Sequence, residues 1–314
     1  MGAGVRVLYI IDISSYFYRA FHALPGLSTS QGFPTNAVFG VINMFLKVLR
    51  EQHPQYLALA MDSKAPTFRH RLYAEYKAKR PPMPQELVKQ IPYIHKVIQA
   101  FNLPTLEVEG FEADDLICTL VNQAREQGFE VEIVSGDKDL LPLVQEGVTM
   151  WDPMREARYD VAAIREKFGV EPGELVEVRA LAGDTSDNIP GVPGIGEKTA
   201  LKLISRYHSL ESLLAHLSDL KEKNLRAKLA EFEEQARLSR RLTLLDGQVP
   251  LPRQVEDLKP GTPDRETLRQ LFLELEFGKF IKELGFEATS PEAFTLVMDE
   301  KDLDAIVQGI REAG

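Results

Sequence analysis

Nine acidic residues in this 314-residue sequence are spaced so that they could bind divalent cations together. They are Asp12, Asp62, Glu112, Asp114, Asp115, Asp137, Asp139, Asp184 and Asp187. Carboxylate oxygens are the ligands that hard cations such as Mg²⁺ and Mn²⁺ prefer. Because so many carboxylates would repel one another without cations, we expect two or more such ions. Two ions about 4 Å apart could activate a water molecule and stabilise the leaving oxygen of a phosphodiester.

Three apolar runs explain how several of these acids would be brought together. The predicted strands are residues 5–11, 56–61 and 131–134, and the predicted helices between them are residues 38–49 and 116–124. Asp12, Asp62 and Asp137 each follow a predicted strand. Alternating strands and helices predict an α/β fold with a mostly parallel central sheet flanked by helices. Since the carboxyl ends of parallel strands share one edge of the sheet, we expect these acids to meet there.

A predicted helix start supplies three more acids. Glu112, Asp114 and Asp115 lie in the segment GFEADDLICTL, where a helix is predicted to begin. Helix capping alone could account for one or two of them, because the helix dipole favours negative charge in the first turn. Three acids near the same sheet edge as Asp12 and Asp62 favour the metal-site interpretation.

A basic segment, residues 64–84, follows the second predicted strand. Between residues 64 and 80 it has six basic residues and one acid, with Phe68, Tyr73 and Tyr76 interleaved. The basic residues are Lys64, Arg69, Arg71, Lys77, Lys79 and Arg80. Cationic and aromatic side chains together are typical of surfaces that track a phosphate backbone and stack on bases. We therefore predict that this segment contacts a nucleic-acid backbone, the alternative being a solvated basic helix face.

Helical patterns replace the strand pattern from about residue 170. The predicted helices are residues 174–182, 197–207, 210–217, 226–245 and 265–284. The predicted domains are an α/β domain with the candidate metal ligands at 1–172, a helical domain at 173–288 and the truncated start of a third domain at 289–314. The last of these reads as a strand and a helix with no later segment to pack on.

The second predicted domain begins with a glycine-rich turn. Gly191 and Gly196 have the spacing of a nucleotide-binding P-loop, but Glu197 stands where that loop requires lysine. We instead predict a helix-hairpin-helix motif at residues 183–207. Gly194 and Gly196 would let main-chain N–H groups approach a DNA phosphate, and Lys198 and Thr199 would strengthen the contact. A plain glycine-rich connection between helices is the alternative.

The composition is compatible with this interpretation. The sequence has 37 basic and 47 acidic residues, a net charge of −10, and the nine candidate ligands account for most of the excess. Histidines are scattered, and one cysteine, Cys118, excludes an intramolecular disulfide. No apolar run of about 18 residues is present, so we expect no membrane partner and a cytoplasmic protein.

Five segments resemble the 5′-nuclease domain of bacterial DNA polymerase I, a member of the flap endonuclease family, over about residues 5–288. They are YRAFHALPGLSTSQG, YKAKRPPMP, GFEADDLICTL, SGDKDL and ALAGDTSDNIPGVPGIGEKTA. The resemblance implies a PIN-like fold and a structure-specific 5′-3′ exonuclease and 5′-flap endonuclease in DNA replication and repair. It also implies a monomer associated with the nucleoid and fused to proofreading and polymerase domains.

The resemblance assigns roles to individual residues. It implies a first metal group of Asp12, Asp62, Glu112, Asp114 and Asp115, and a second of Asp137, Asp139, Asp184 and Asp187. It implies catalytic roles for Asp12, Asp62, Asp114, Lys77 and Arg80. It implies that the basic segment forms a helical arch that binds DNA with a single-stranded 5′ end. The DNA-binding residues of this arch would be Arg69, Arg71, Tyr76, Lys77 and Arg80. It further suggests a potassium ion on the main-chain carbonyls of Leu181, Ala182, Pro190, Val192 and Ile195.

One position departs from the family, and two other functions stay open. The family has glycine or another small residue directly after the first aspartate, where this sequence has the bulkier Ile13. An aspartate-dependent phosphohydrolase would use Asp12 as nucleophile but would need a second acid at Ser14. A non-catalytic DNA-binding module would use only the hairpin and the basic segment, leaving the nine acids without a role.

Overall fold

The central sheet of the computed structural model, which describes residues 5–286, has six strands. They are β1 (Val7–Asp12), β2 (Tyr56–Ala60), β3 (Thr105–Leu106), β4 (Glu130–Val134), β5 (Val148–Asp152) and β6 (Ala157–Tyr159). Their order is β3-β2-β1-β4-β5-β6, and β6 is antiparallel to its neighbour, whereas the other pairs are parallel. The strand order reverses between β1 and β4, which is where open parallel sheets form their ligand crevice.

The helices confirm the predicted α/β architecture. Those among and just after the strands are α1 (Ile13–Ala23), α2 (Asn36–Gln52), α3 (Phe68–Leu72), α4 (Gln85–Ala100), α5 (Ala113–Glu126) and α6 (Val161–Phe168). Leu8 and Ile10 of β1 pack in one buried cluster with Leu116 and Leu120 of α5. Side chains alternate along a strand, so Tyr9 and Ile11 face the other side of the sheet, and they are buried there.

The later part of the chain is helical. Its helices are α7 (Leu175–Ala182), α8 (Glu197–Tyr207), α9 (Leu210–Ala215), α10 (Lys223–Glu231), α11 (Glu233–Thr243), α12 (Arg265–Glu274) and α13 (Gly278–Glu283). Leu181, Leu203, Ile204 and Leu213 belong to a second buried cluster among them. Residues as far as Leu268 form one compact unit, and residues from Arg269 form another. The third domain predicted at 289–314 lies outside the described residues.

Three helix predictions need correction. The predicted helix at 226–245 is two helices that meet at Phe232. Its N–H donates the last hydrogen bond of α10, to Lys228, and its carbonyl accepts the first of α11, from Ala236. The predicted helix at 265–284 is also two helices, with Glu276 between them at a φ of 58°. The predicted helical arch is helical only in α3. In the rest of that segment, Lys77 has a φ of 57°, which a regular helix does not allow.

Two further observations concern sequence predictions. Ile13 is fully buried as the first residue of α1, and it is not among the residues with positive φ. The bulk of its side chain is therefore accommodated beside Asp12. Within residues 5–286, no helix is long and apolar enough to span a bilayer.

Candidate active site

Asp12 lies at the carboxyl end of the central strand and is held by two serines. Its Oδ1 accepts a hydrogen bond of 3.0 Å from the main-chain N–H of Ser15 at the start of α1. Its Oδ2 accepts one of 2.8 Å from the hydroxyl of Ser135, the residue after β4. Only 2% of Asp12 is exposed. The carboxylate is therefore fixed at the β1–β4 reversal, as the strand pattern predicted.

Asp62 lies just beyond β2 and reaches the beginning of α5. Its Oδ1 accepts a hydrogen bond of 2.8 Å from the main-chain N–H of Ala113, the first residue of that helix. Its own N–H donates to the hydroxyl of Ser14 at 2.9 Å, and Ser14 is adjacent to the serine whose N–H donates to Asp12. The side chain of Asp62 therefore connects the end of β2 to the start of α5.

Four carboxylates near this edge of the sheet repel one another: Asp12, Asp62, Asp114 and Asp137. Burial, followed by the charges of Asp137 and Asp62, raises the pKa of Asp12 to about 7, against hydrogen bonds from two serines that lower it. Burial and the charges of Asp137, Asp12 and Asp62 raise the pKa of Asp114 well above its usual range, and Lys77 opposes that rise. No ion pair joins any of these four carboxylates to a cation in the described residues. Their negative charge is uncompensated.

The other five predicted ligands are each paired with a cation. Lys77 donates to Glu112 at 2.8 Å, and its Nζ lies 3.9 Å from Asp187. The Tyr76 hydroxyl lies 3.1 Å from Glu112 and 3.2 Å from Asp187, so burial and these two carboxylates raise its pKa. Arg80 completes the cluster with an ion pair to Asp187. The basic segment therefore folds onto part of the predicted metal site.

Asp115 accepts hydrogen bonds from four protein donors, and its predicted part in the first metal group stays a prediction. Arg69 donates to its two oxygens at 2.7 and 2.8 Å. The main-chain N–H groups of Asp246 and Glu112 donate to the same oxygens at 2.9 and 3.2 Å. A carboxylate has about four lone-pair positions, and here all are used. In this structure Asp115 anchors Arg69 instead of facing the other acids.

Arg179 of α7 joins two predicted ligands and was not predicted from the sequence. It makes ion pairs with both Asp139 and Asp184. Burial raises the pKa of Asp139 to about 6, Arg179 opposes the rise, and Asp137 and Asp184 add to it. For Asp184, hydrogen bonds and Arg179 outweigh burial and lower the pKa. The sequence signal that could have identified Arg179 is its position five residues before Asp184.

The donor set fits a hard divalent cation by its chemistry. Asp12, Asp62, Asp114 and Asp137 offer only oxygen ligands, lie in mutual repulsion and lack a protein counter-charge. Within residues 5–286, however, no three acidic, histidine or cysteine side chains lie close enough to hold one ion in the present arrangement. Closure around a cation therefore requires side-chain movement, which is the expected response of repelling carboxylates to a positive charge.

The predicted DNA-binding residues differ in their surroundings. Arg69 and Tyr76 are buried, and Lys77 is partly buried. All three donate hydrogen bonds to acidic side chains. Arg71 is exposed and has neither an ion pair nor a hydrogen-bonding side chain partner in the described residues. The main-chain N–H of Lys77 donates to the carbonyl of Asp187 at 2.9 Å, which ties the basic segment to the hairpin region.

The glycine-rich turn connects α7 and α8 as the hairpin prediction requires. Gly194 has a φ of 80°, and Gly196 is the residue at which α8 begins. Lys198 is exposed in the first turn of that helix, with Thr199 beside it. Gly183 and Gly191 pack backbone against backbone, since a Cβ on Gly183 would lie 2.5 Å from the Ile189 carbonyl oxygen.

The carbonyls predicted to bind potassium lie around this same contact. Those of Leu181 and Val192 already accept hydrogen bonds, from the N–H groups of Val192 and Ile195, at 2.7 and 3.0 Å. Each carbonyl oxygen has a second lone pair. The potassium assignment stays a prediction.

Comparisons with known proteins agree with this fold. A family model described as "5′-3′ exonuclease, N-terminal resolvase-like domain" matches residues 7–169, and one described as "5′-3′ exonuclease, C-terminal SAM fold" matches residues 170–266. A 5′-3′ exonuclease of Aquifex aeolicus is 41% identical over 280 residues, covering 89% of this chain and 96% of that protein. A DNA polymerase I of Caldicellulosiruptor bescii is 41% identical over 313 residues, covering 96% of this chain and 37% of that protein.

A solved structure has the same fold. A bacteriophage T5 flap endonuclease in a complex with DNA and metal ions is 19% identical, with a TM-score of 0.64, and the match covers 90% of this chain and all of that one. The matches define the class as a resolvase-like α/β domain followed by a helical SAM-fold domain. The chain belongs to the 5′-3′ exonuclease family, which confirms the resemblance noted in its motifs. It spans about a third of the length of the DNA polymerase I relatives, 37% and 34% in two of them.

Proposed function

We propose that this protein is a divalent-metal-dependent, structure-specific 5′-3′ exonuclease and 5′-flap endonuclease of DNA. The observation that carries the proposal is the cluster of four uncompensated carboxylates, Asp12, Asp62, Asp114 and Asp137, at the strand-order reversal. The T5 flap endonuclease, which shares the fold, was solved with DNA and metal ions, and that supports the assignment.

The proposed ion is Mg²⁺ or Mn²⁺, because the ligands are carboxylates. Asp12, Asp62, Asp114 and Asp137 would hold cations directly. Four further acids would bind the cations after releasing the lysine or arginine with which each is now paired. They are Glu112, Asp139, Asp184 and Asp187. The bound ions would supply charge neutralisation at the phosphodiester and activation of the attacking water. A potassium ion at the hairpin carbonyls is part of the same proposal.

When DNA binds, the basic residues would exchange their carboxylate partners for phosphates of the substrate. Lys77 and Arg80 form ion pairs with Glu112 and Asp187, and DNA phosphates would offer them an alternative negative partner. The hairpin would bind duplex phosphates through the start of α8 and Lys198. We propose that the protein works as a monomer on flapped or nicked DNA, as the 5′-nuclease part of a DNA polymerase I in the bacterial cytoplasm.

Cleavage of a labelled 5′-flap duplex with Mg²⁺ or with chelator tests this function. We expect release of the flap only with the metal, and slower attack on a blunt duplex. Binding of DNA without cleavage would instead identify a non-catalytic module. Hydrolysis of a small phosphomonoester with no action on DNA would identify an aspartate-dependent phosphohydrolase, and either result overturns the proposal.

A further inference from the structure

An open groove lies between the start of the basic segment and the end of α11, outside the acidic cluster. Its volume is about 430 Å³, and it is lined by Phe68, Leu72 and Leu244, with Arg71 and Arg241 among its residues. Sites for small organic ligands have volumes of roughly 300–1,000 Å³. The groove is thus large enough for a nucleotide-sized group.

The groove combines apolar lining with unused positive charge. Arg71 and Arg241 are both exposed, and neither has an ion pair within residues 5–286. By contrast, Arg69, Lys77 and Arg80 in the same segment are paired with carboxylates. An apolar surface flanked by two free guanidinium groups is complementary to a flat base with phosphates on either side.

The two walls of the groove are fixed to each other and to the acidic site by one residue. Arg69 donates to the main-chain carbonyls of Leu242 and Leu244, at 2.9 Å each, while its other hydrogen bonds hold Asp115. Its guanidinium also lies over the Phe68 ring, 4.5 Å from the centroid. Arg69 therefore holds the two walls together and connects them to Asp115 at the start of α5.

We propose that this groove binds one nucleotide of the single-stranded 5′ arm of the DNA substrate. The base packs on Phe68, Leu72 and Leu244, and the adjoining phosphates pair with Arg71 and Arg241. A paired duplex is a poorer occupant, because its base faces are stacked inside the helix and unavailable to an apolar wall. The proposal rests on the proposed nuclease function and names a subsite for the strand to be released.

Equilibrium binding in chelator, which prevents cleavage, tests the subsite with two DNA probes. One is a duplex with a short 5′ arm carrying 2-aminopurine, and the other is the same duplex without the arm. For Arg241→Ala we expect weaker binding of the armed probe only, and a salt dependence whose log–log slope is smaller by about 0.7. For Phe68→Leu we expect at least about fivefold weaker binding of the armed probe and loss of 2-aminopurine quenching.

A matched control and the contrary outcomes complete the test. Arg253→Ala removes an exposed arginine outside the groove, and we expect it to bind both probes like the wild type. Arg241 is a surface residue, so its variant keeps the test decisive if Phe68→Leu does not fold. Wild-type binding of the armed probe by Arg241→Ala, or an equal loss on both probes, overturns the subsite. If the wild-type protein of the same preparation cleaves the flap with Mg²⁺, the nuclease function stands although the subsite is overturned.

Discussion

Arg69 holds the carboxylate of Asp115 through two parallel hydrogen bonds of 2.7 and 2.8 Å, although the two residues are 46 positions apart. Arg69 is 1% exposed and Asp115 is fully buried. Breaking a buried ion pair by removing one partner typically costs about 3–5 kcal/mol, because the other charge stays buried without compensation. This pair also connects the basic segment to α5.

We therefore expect Arg69→Met to lower the free energy of unfolding by about 3–5 kcal/mol. Denaturant unfolding in chelator measures this change. The control is Arg71→Ala, on the same short helix but exposed and unpaired, where a change within about 0.5 kcal/mol is expected. Equal stability of Arg69→Met and the wild type would show that the pair contributes nothing to the fold.

Adjacent aspartates provide the second prediction. Asp114→Asn should abolish flap cleavage while leaving stability in chelator unchanged or higher, since it removes one of four repelling carboxylates. Asp115→Asn should lower stability instead, because Arg69 loses a charged partner. Single-turnover cleavage and thermal unfolding of both variants are the measurements. If Asp114→Asn cleaves as fast as the wild type, the carboxylate cluster is not the active site.

The sequence predicted the positions of some of these residues and not the partners of others. Asp12, Asp62 and Asp137 follow apolar strands, and the rule that parallel strands end at one edge was enough to place them. The contacts of Asp115 with Arg69, and of Asp139 with Arg179, join residues that are 46 and 40 positions apart in the sequence. Local patterns carry no signal for such pairs, and both side chains of a pair look like ordinary surface charges until the chain is folded.

The basic segment shows the same limit. Its charge predicted an interaction with phosphate, and the family resemblance predicted an arch. In the structure, Tyr76 and Lys77 contact Glu112, and the chain around these two residues forms turns. The sequence alone does not indicate these contacts, because they depend on which charged groups are nearby in space.

The raised pKa of Asp12 predicts a pH dependence of stability in the absence of metal. The ordinary pKa of this carboxyl group is 3.8 and its pKa in the folded protein is about 7, so the folded protein binds an extra proton between those two pH values. Stability should therefore fall as pH rises from about 4 to about 7, and the penalty should be complete above pH 7. Thermal unfolding in chelator between about pH 5 and 8 measures this.

Asp12→Asn is the matched variant, because it resembles the protonated form at every pH. We expect it to unfold a few degrees higher than the wild type near pH 8 in chelator, and at nearly the same temperature near pH 5. Mg²⁺ should raise the unfolding temperature of the wild type at pH 8 more than that of the variant. A wild-type protein whose stability rises through this pH window contradicts the prediction.

Arg179 provides a prediction about metal affinity. Its guanidinium group forms ion pairs with Asp139 and Asp184, so it competes with any cation for their carboxylate oxygens. We expect Arg179→Gln to bind Ca²⁺ severalfold more tightly than the wild type by calorimetry. Arg240→Gln is the control, because it breaks an ion pair to Glu177 of the same helix α7 but away from the acids. Weaker Ca²⁺ binding by Arg179→Gln would show that the arginine positions the ligands instead of competing for them.

The hairpin and the carboxylate cluster should be separable in kinetics. Gly194 has a φ of 80°, which a β-branched residue adopts only with strain, and a Cβ there would lie 2.6 Å from the Lys228 Nζ. Gly194→Val should therefore weaken duplex affinity and raise the KM, while the single-turnover rate at saturating enzyme is retained. Gly173→Ala is the control, at a glycine with open space and no positive φ.

Asp187→Ala should give the opposite result. This side chain contacts Tyr76 and Arg80 at the candidate active site, and a second-metal ligand acts on the transition state and not on docking. The saturated single-turnover rate should fall, while duplex affinity in chelator should stay the same or increase, since a negative charge has been removed. A titration of enzyme against a fixed flap substrate separates the two effects. If Gly194→Val lowers the saturated rate as much as Asp187→Ala does, with affinity unchanged, the hairpin is part of the chemical site and not a separate DNA anchor.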